Sequence, residues 1–195
     1  MKDYIIDGIG VGKNPDLFQR SQAYNEAFNR LGSSPDNVKV IKNFIGPDDR
    51  QVLLDLVSES EPTSIDNRWN RKDYRTVELS NYIDKYTDKA LRQMSNSFEL
   101  YLVPTGTFSL IEWSPGTEMP MHVDDLGDGH SQISGVIYLN DDYLGGEISF
   151  PTLGIEISPN AGDLIIFPGN LNYPHKVNLV TSGNRYTIPL WADIV

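Results

Sequence analysis

The sequence predicts a mainly β protein: a jelly roll (double-stranded β-helix) of two packed sheets, with N-terminal helices laid on the outside of one of them. Three observations predict it. Apolar residues at helical spacing are confined to the first hundred positions. From Thr107 onward eight short β-like runs follow in quick succession. Gly, Pro, Asn and Asp punctuate nearly every gap between those runs, as in SPGT, SPNAGD, PGN and TSGN. Eight short strands suit two sheets enclosing a pocket. The chain of 195 residues, 39% hydrophobic, is long enough to bury a core. It reads as a single domain over 1–195, with a helical support region at 1–104 and a jelly-roll core at 105–195.

Taken in order, residues 15–31 place Leu17, Phe18, Ala23, Tyr24, Ala27, Phe28 and Leu31 at helical intervals, ended by Gly32. Residues 38–45 (VKVIKNFI) alternate like a strand. GPDDRQVLLDLVSES then starts a second helix, with Pro47 and two aspartates suited to its first turn. Residues 80–100 predict a third helix, opened by Ser80 or Asn81 as a cap. Between the last two, Arg68, Trp69, Arg71, Tyr74 and Arg75 lie in a polar stretch of loop length. It reads either as a lid over a pocket mouth or as an ordinary exposed loop. The β-like runs are TFSLIEW, EMPMHVD, ISGVIYLN, EISF, IEI, DLIIF, HKVNLV and RYTIPLW.

Composition narrows the function classes. The formal net charge is -11, so the surface repels phosphate backbones and lacks a basic stripe, which argues against nucleic acid as a partner. No apolar run approaches the ~20 residues a membrane helix needs, so no membrane association is expected. The N-terminus MKDYIIDGIG does not look like a secretory signal, and the expected location is cytoplasmic. The remaining partners are a peptide or a small molecule; nothing in the pattern speaks to oligomeric state. With zero cysteines, any metal must be held by imidazole and carboxylate.

One constellation meets that requirement. His122 and Asp124 are two apart, so on an extended strand both side chains leave the same face. A distant His175 would complete a two-histidine, one-carboxylate set, which leaves positions open on Fe(II) for a chelating cosubstrate and O₂. In a chain this rich in aspartate, His-x-Asp alone also arises by chance, and a lone histidine is more often a surface residue. Arg185 follows His175 by ten residues, at the head of the last strand. Alternation puts Arg185, Thr187, Pro189 and Trp191 on one face, with Tyr186, Ile188 and Leu190 on the other. An inward arginine needs an anion, and a dicarboxylate gripped bidentately would serve; a salt bridge to one of the many acids would serve equally. Pro189 inside this run suggests an edge or a bulge.

HVDD, IYLNDDYLGGEISF, AGDLIIFPGN and PHKVNLVTSGNRYTIPLW together resemble the prolyl 4-hydroxylase-type branch of the Fe(II)/2-oxoglutarate dioxygenases. The resemblance is dense over residues 105–192 and fainter over VKVIKNFIGPDDRQVLLDLV. It implies that His122, Asp124 and His175 hold iron and that Arg185 binds the distal carboxylate of 2-oxoglutarate. Tyr138 matches a tyrosine that in several relatives bonds the same carboxylate; Trp191 matches an aromatic near the cosubstrate. The implied cofactors are Fe(II), 2-oxoglutarate and O₂, with ascorbate as an auxiliary reductant. Two positions depart from the pattern: Trp113 and Met119 stand where relatives often carry tyrosines. They keep apolar bulk at the substrate pocket but remove hydroxyls.

The expected activity is therefore hydroxylation of a C–H bond, with a peptidyl proline leading and a free amino acid or other small molecule as the alternative. A non-catalytic jelly-roll binding protein is the rival of a different class. Nucleobase demethylation uses the same metal chemistry but sits poorly with the acidic charge. His130 reads as an exposed loop residue, and Asp141 and Asp142 as a solvated turn rather than a Ca²⁺ loop.

Overall fold

A computed structural model describes residues 5–6, 9–10, 26–27, 29–67, 69–125 and 132–195. The helix predicted over 15–31 lies mostly outside the described residues. Its last turn is helical and stops at Leu31, before Gly32 in the left-handed region at φ 54°. Helix α1 (Pro47–Ser58) starts with Pro47 in its first turn, followed by Asp48 and Asp49, as its sequence predicts. Helix α2 (Val77–Phe98) begins three residues earlier than predicted. The capping oxygen belongs to Thr76, which accepts from the Leu79 N–H, while Ser80 sits one turn inside and donates to the Thr76 carbonyl.

Besides a short antiparallel pairing of Ile5–Ile6 with Ile9–Gly10, fourteen strands among the described residues build the β part. In chain order they are β1 (Lys39–Ile41), β2 (Ser64–Asp66), β3 (Arg71–Tyr74), β4 (Leu102–Pro104), β5 (Leu110–Trp113), β6 (Met119–His122) and β7 (Ile133–Tyr138). They continue with β8 (Leu144–Gly145), β9 (Ile148–Phe150), β10 (Ile155–Ile157), β11 (Leu164–Pro168), β12 (His175–Val177), β13 (Val180–Ser182) and β14 (Arg185–Ile194). The larger sheet runs β1-β11-β7-β14-β5-β3-β2, with β4 joining the far end of β14; the smaller runs β10-β9-β12-β6. All pairings are antiparallel. This is the predicted jelly roll.

Period-two alternation decides what each face meets. Ile133 and Ile137 of β7, Leu164 and Ile166 of β11, and Ile188 and Leu190 of β14 point outward. There they pack against Leu79, Ile83, Ala90, Met94 and Phe98 of α2 and Leu53 and Val57 of α1. The opposite face turns inward. Tyr138, Ile165 and Phe167 from the larger sheet meet Ile148 and Phe150 from the smaller, sealing one end of the sandwich.

Three local expectations fail for physical reasons. The polar stretch after residue 68 is not a free loop: β3 pairs with β5 along its length, and β2 pairs with β3. Its one buried anchor is Tyr74, whose hydroxyl donates to Glu112 at 2.7 Å; Lys72 reaches the same carboxylate at 2.9 Å. Residues 38–45 form only a three-residue strand, because Asn43 turns the chain at φ 52°. Pro189 lies neither on an edge strand nor in a bulge, since β14 pairs with β7 across Thr187–Ala192. Tyr186 exchanges its backbone bonds on the β7 side, so alternation turns the nitrogen of Pro189 away from β7. There β5 has ended, opposite Thr187, and β4 has not begun, opposite Ala192, so no ladder bond is lost.

Candidate active site

β12 and β6 are neighbours in the smaller sheet, and their register sets His175 directly opposite His122. The two rings lie 4.3 Å apart. Asp124 is not on the strand as expected: β6 stops at His122, and the chain bends as the Asp124 and Asp125 N–H groups both donate to the Gly169 carbonyl, at 3.0 and 2.9 Å. That bend still returns the carboxylate to the histidines. One ligand atom from each of His122, Asp124 and His175 falls within 4.8 Å of the others.

Proton placement leaves the cluster able to hold a cation. His122 Nδ1 meets the Pro120 carbonyl at 2.8 Å and His175 Nδ1 meets the Tyr173 carbonyl at 3.1 Å, which assigns the proton to Nδ1 in both rings. Each Nε2 then offers a lone pair toward the Asp124 carboxylate, at 3.6 and 3.7 Å. Three Lewis bases facing one space favour a cation between them. Burial lowers the His175 pKa, against the opposing pull of Asp124, and so favours the neutral, ligating imidazole. Phe150 and Phe167 wall that ring at 5.5 and 4.7 Å. Ser134, on β7, donates to Asp124 Oδ2 at 2.6 Å. A set of two imidazoles and one carboxylate with open positions fits Fe(II).

The same cavity, about 80 Å³, extends from these ligands to Arg185. Its walls include Trp113, Met119 and Trp191. Arg185 is 2% exposed and forms no ion pair among the described residues. Nη2 donates to the Tyr138 hydroxyl at 3.3 Å, while Nε has no hydrogen-bond partner among the described residues. The guanidinium stands 5.0 Å from the Tyr138 ring and 5.7 Å from that of Trp113. A buried cation with no anion is costly, so this end of the cavity fits a carboxylate. Tyr138 is fully buried, which raises its pKa, with Arg185 opposing the shift; its phenol stays protonated.

Other predicted positions fall as follows. Arg71 of β3 lines the cavity and lies 5.8 Å from the Trp113 ring; Trp69 packs with Trp113 and Met119. The polar stretch therefore does reach the mouth, as a strand. Asp141 and Asp142 are exposed turn residues that accept from the Ala161 N–H and the Asn140 amide. His130 and Arg68 lie outside the described residues. Sequence reasoning assigned no role to Ser134. It also missed Thr187, whose hydroxyl accepts from Trp113 Nε1 at 3.2 Å.

Comparison with known proteins agrees with this geometry. Residues 108–193 match the sequence model of the 2OG-Fe(II) oxygenase superfamily. A 63-residue segment is 38% identical to human prolyl 3-hydroxylase 3, covering 30% of this chain but only 9% of that protein. Among solved structures, the viral collagen prolyl hydroxylase of Paramecium Bursaria Chlorella virus-1, in complex with 2OG, aligns at TM-score 0.64 and 20% identity. That alignment covers 82% of this chain and 97% of the viral one. The Trichoplax adhaerens prolyl hydroxylase, in complex with a hypoxia inducible factor peptide, aligns at TM-score 0.66 and 18% identity, over 92% and 94% of the two chains. Residues 108–193 thus match the 2OG-Fe(II) oxygenase superfamily, and the chain as a whole shares the fold of these solved structures.

Proposed function

We propose that the protein is an Fe(II)- and 2-oxoglutarate-dependent dioxygenase that hydroxylates a C–H bond of a peptidyl proline. One observation carries the reading: a single cavity has three converging lone-pair donors at one end and a buried, anion-less arginine at the other. His122, Asp124 and His175 would hold the iron, and Arg185, braced by Tyr138, would grip the distal carboxylate of 2-oxoglutarate. Once bound, iron and 2-oxoglutarate would supply the oxidising chemistry, in which 2-oxoglutarate loses its own carboxylate as CO₂ and the two atoms of O₂ are divided between succinate and the hydroxylated product. The chain supplies everything else. Arg185 fixes which end of the dicarboxylate faces the metal. Trp113 and Trp191 exclude water, and Met119 shapes the apolar side on which substrate enters. Ascorbate would serve only to keep the iron reduced.

Prolyl hydroxylases among both the sequence relatives and the structural neighbours support proline as the substrate. A free amino acid or other small molecule is the second reading, favoured by Trp113 and Met119, whose apolar faces replace hydroxyls at the substrate side. The net charge of -11 disfavours nucleic acid.

The test supplies Fe(II), 2-oxoglutarate and O₂ with proline-containing peptides or free amino acids, and reads succinate together with a gain of one oxygen in the substrate. Coupled turnover on a peptide, lost in His122→Ala and Arg185→Gln, is the expected result. Failure to bind 2-oxoglutarate, or binding that ignores both substitutions, sinks the oxygenase reading and leaves a jelly-roll binding protein. Turnover on free amino acids alone replaces only the substrate.

A further inference from the structure

A second phenol stands beside Arg185. Tyr143 lies in the turn between β7 and β8, and its buried hydroxyl has no well-formed hydrogen bond among the described residues. Arg185 Nε is in the same condition. Gly146, at φ 69°, shows how closely the two side chains approach: a Cβ there would lie 3.1 Å from both Arg185 Cδ and Tyr143 Cε2. Gly183 packs on the other side, where a Cβ would meet the Asp142 carbonyl oxygen at 2.8 Å and Tyr143 Cα at 3.0 Å. Asn140 ties the turn to the head of β14. Its amide donates to the Asn184 carbonyl at 2.7 Å and to Asp142 Oδ1 at 2.6 Å, and its Oδ1 accepts from the Tyr186 N–H at 2.8 Å. Tyr143 is thus built into place against Arg185.

A buried hydroxyl and a buried guanidinium nitrogen left unpaired destabilise the empty protein. Both can donate, and Arg185 lines the end of the cavity that lacks an anion, with Tyr143 packed beside it. A carboxylate has two oxygens, no hydrogens and several lone pairs, so one such group satisfies both at once. We propose that Tyr143 is a third donor to the distal carboxylate of the dicarboxylate cosubstrate, beside Arg185 and Tyr138. This rests on the reading of Arg185 as that carboxylate's anchor. Burial pushes the Tyr143 phenol up to about 12, against the pull of Arg185, so it keeps its proton at any physiological pH.

Tyr143→Phe removes one oxygen and keeps the ring. Binding of 2-oxoglutarate, and of pyruvate as a 2-oxo acid with no distal carboxylate, is measured on anaerobic Fe(II)-loaded protein. The thermal midpoint is measured on metal-free protein. The expected result is 2-oxoglutarate binding weakened about tenfold, the size of one charge-assisted hydrogen bond. Pyruvate binding should not change, and the metal-free midpoint should stay level or rise because the orphan hydroxyl is gone. Unchanged 2-oxoglutarate affinity overturns the proposal, as does an equal loss for pyruvate or a lowered midpoint, either of which makes the hydroxyl a folding group. Arg185→Gln separates the two layers. If it does not weaken 2-oxoglutarate binding, the anchor reading fails and Tyr143 falls with it. If it does while Tyr143→Phe binds as wild type, only Tyr143 fails.

Discussion

His122 and His175 are oriented by the same device, a ring Nδ1 set against the carbonyl oxygen two residues earlier, Pro120 for one and Tyr173 for the other. This points both Nε2 atoms inward before any metal arrives. Among the described residues the Asp124 carboxylate has no such backbone lock, and the 2.6 Å bond from Ser134 takes that part by occupying Oδ2. Ser134→Ala should therefore weaken metal binding by roughly 10- to 100-fold, the usual cost of losing such an outer partner, while leaving the fold intact. Competition against a calibrated chelator measures it; an unchanged affinity would show that the bend at Gly169 positions Asp124 unaided. At this scale the imidazole donors were legible because they are rare: three histidines and no cysteines leave few combinations, and Asp124 stood out only by its spacing from His122. Ser134, Thr187 and Tyr143 were harder to read, because their roles come from register and loop packing between segments far apart in the chain.

The helical layer is joined by one cross-helix cluster. Asp49 in the first turn of α1 accepts from Lys85 Nζ at 2.8 Å and from the Tyr86 hydroxyl, both on α2. The Lys85 bond, followed by that of Tyr86, holds the Asp49 carboxyl below its usual value. A carboxyl lowered by folding adds stability above its unfolded pKa and loses it as the pH falls through the folded one. Asp49→Asn should accordingly unfold at lower urea than wild type at neutral pH, and the gap should close as the pH drops below the ordinary 3.8. Because Asp49 is at the surface the gap should be small, and a gap that persists in acid would assign it to helix capping instead. At the element scale, α1 and the β-like runs from Thr107 onward announced themselves through Pro47 and through clean alternation. The β2–β3 hairpin did not. Arg71, Lys72 and Asp73 are polar on both faces, and only pairing with β5 makes them a strand. The start of α2 was missed because Thr76 lies before the apolar pattern and caps by geometry alone.

Across the whole molecule one strand couples the core to the site. β14 sends Ile188 and Leu190 into the helix-backed core, and presents Arg185, Thr187 and Trp191 to the cavity. Leu190 is fully buried and presses on Gly135 of β7, where a Cβ would come within 3.2 Å of its side chain. No neighbour can easily fill the space that Leu190→Ala would open, so this change should cost about 2–5 kcal/mol. If β14 is the shared element, ligands held by Arg185 and by the metal triad must stabilise the same folded state that Leu190 supports. Mass action then sets the size of the rescue, about 2.7 kcal/mol for a ligand at 100 times its Kd. Thermal unfolding of Leu190→Ala should show a lowered midpoint that recovers in part with Fe(II) and excess 2-oxoglutarate under anaerobic conditions. Added to Leu190→Ala that also carries Arg185→Gln, the dicarboxylate should contribute little beyond the metal alone. A dicarboxylate rescue that survives the loss of Arg185 would place the binding energy elsewhere than on β14, and would separate the core from the site that it is argued to support.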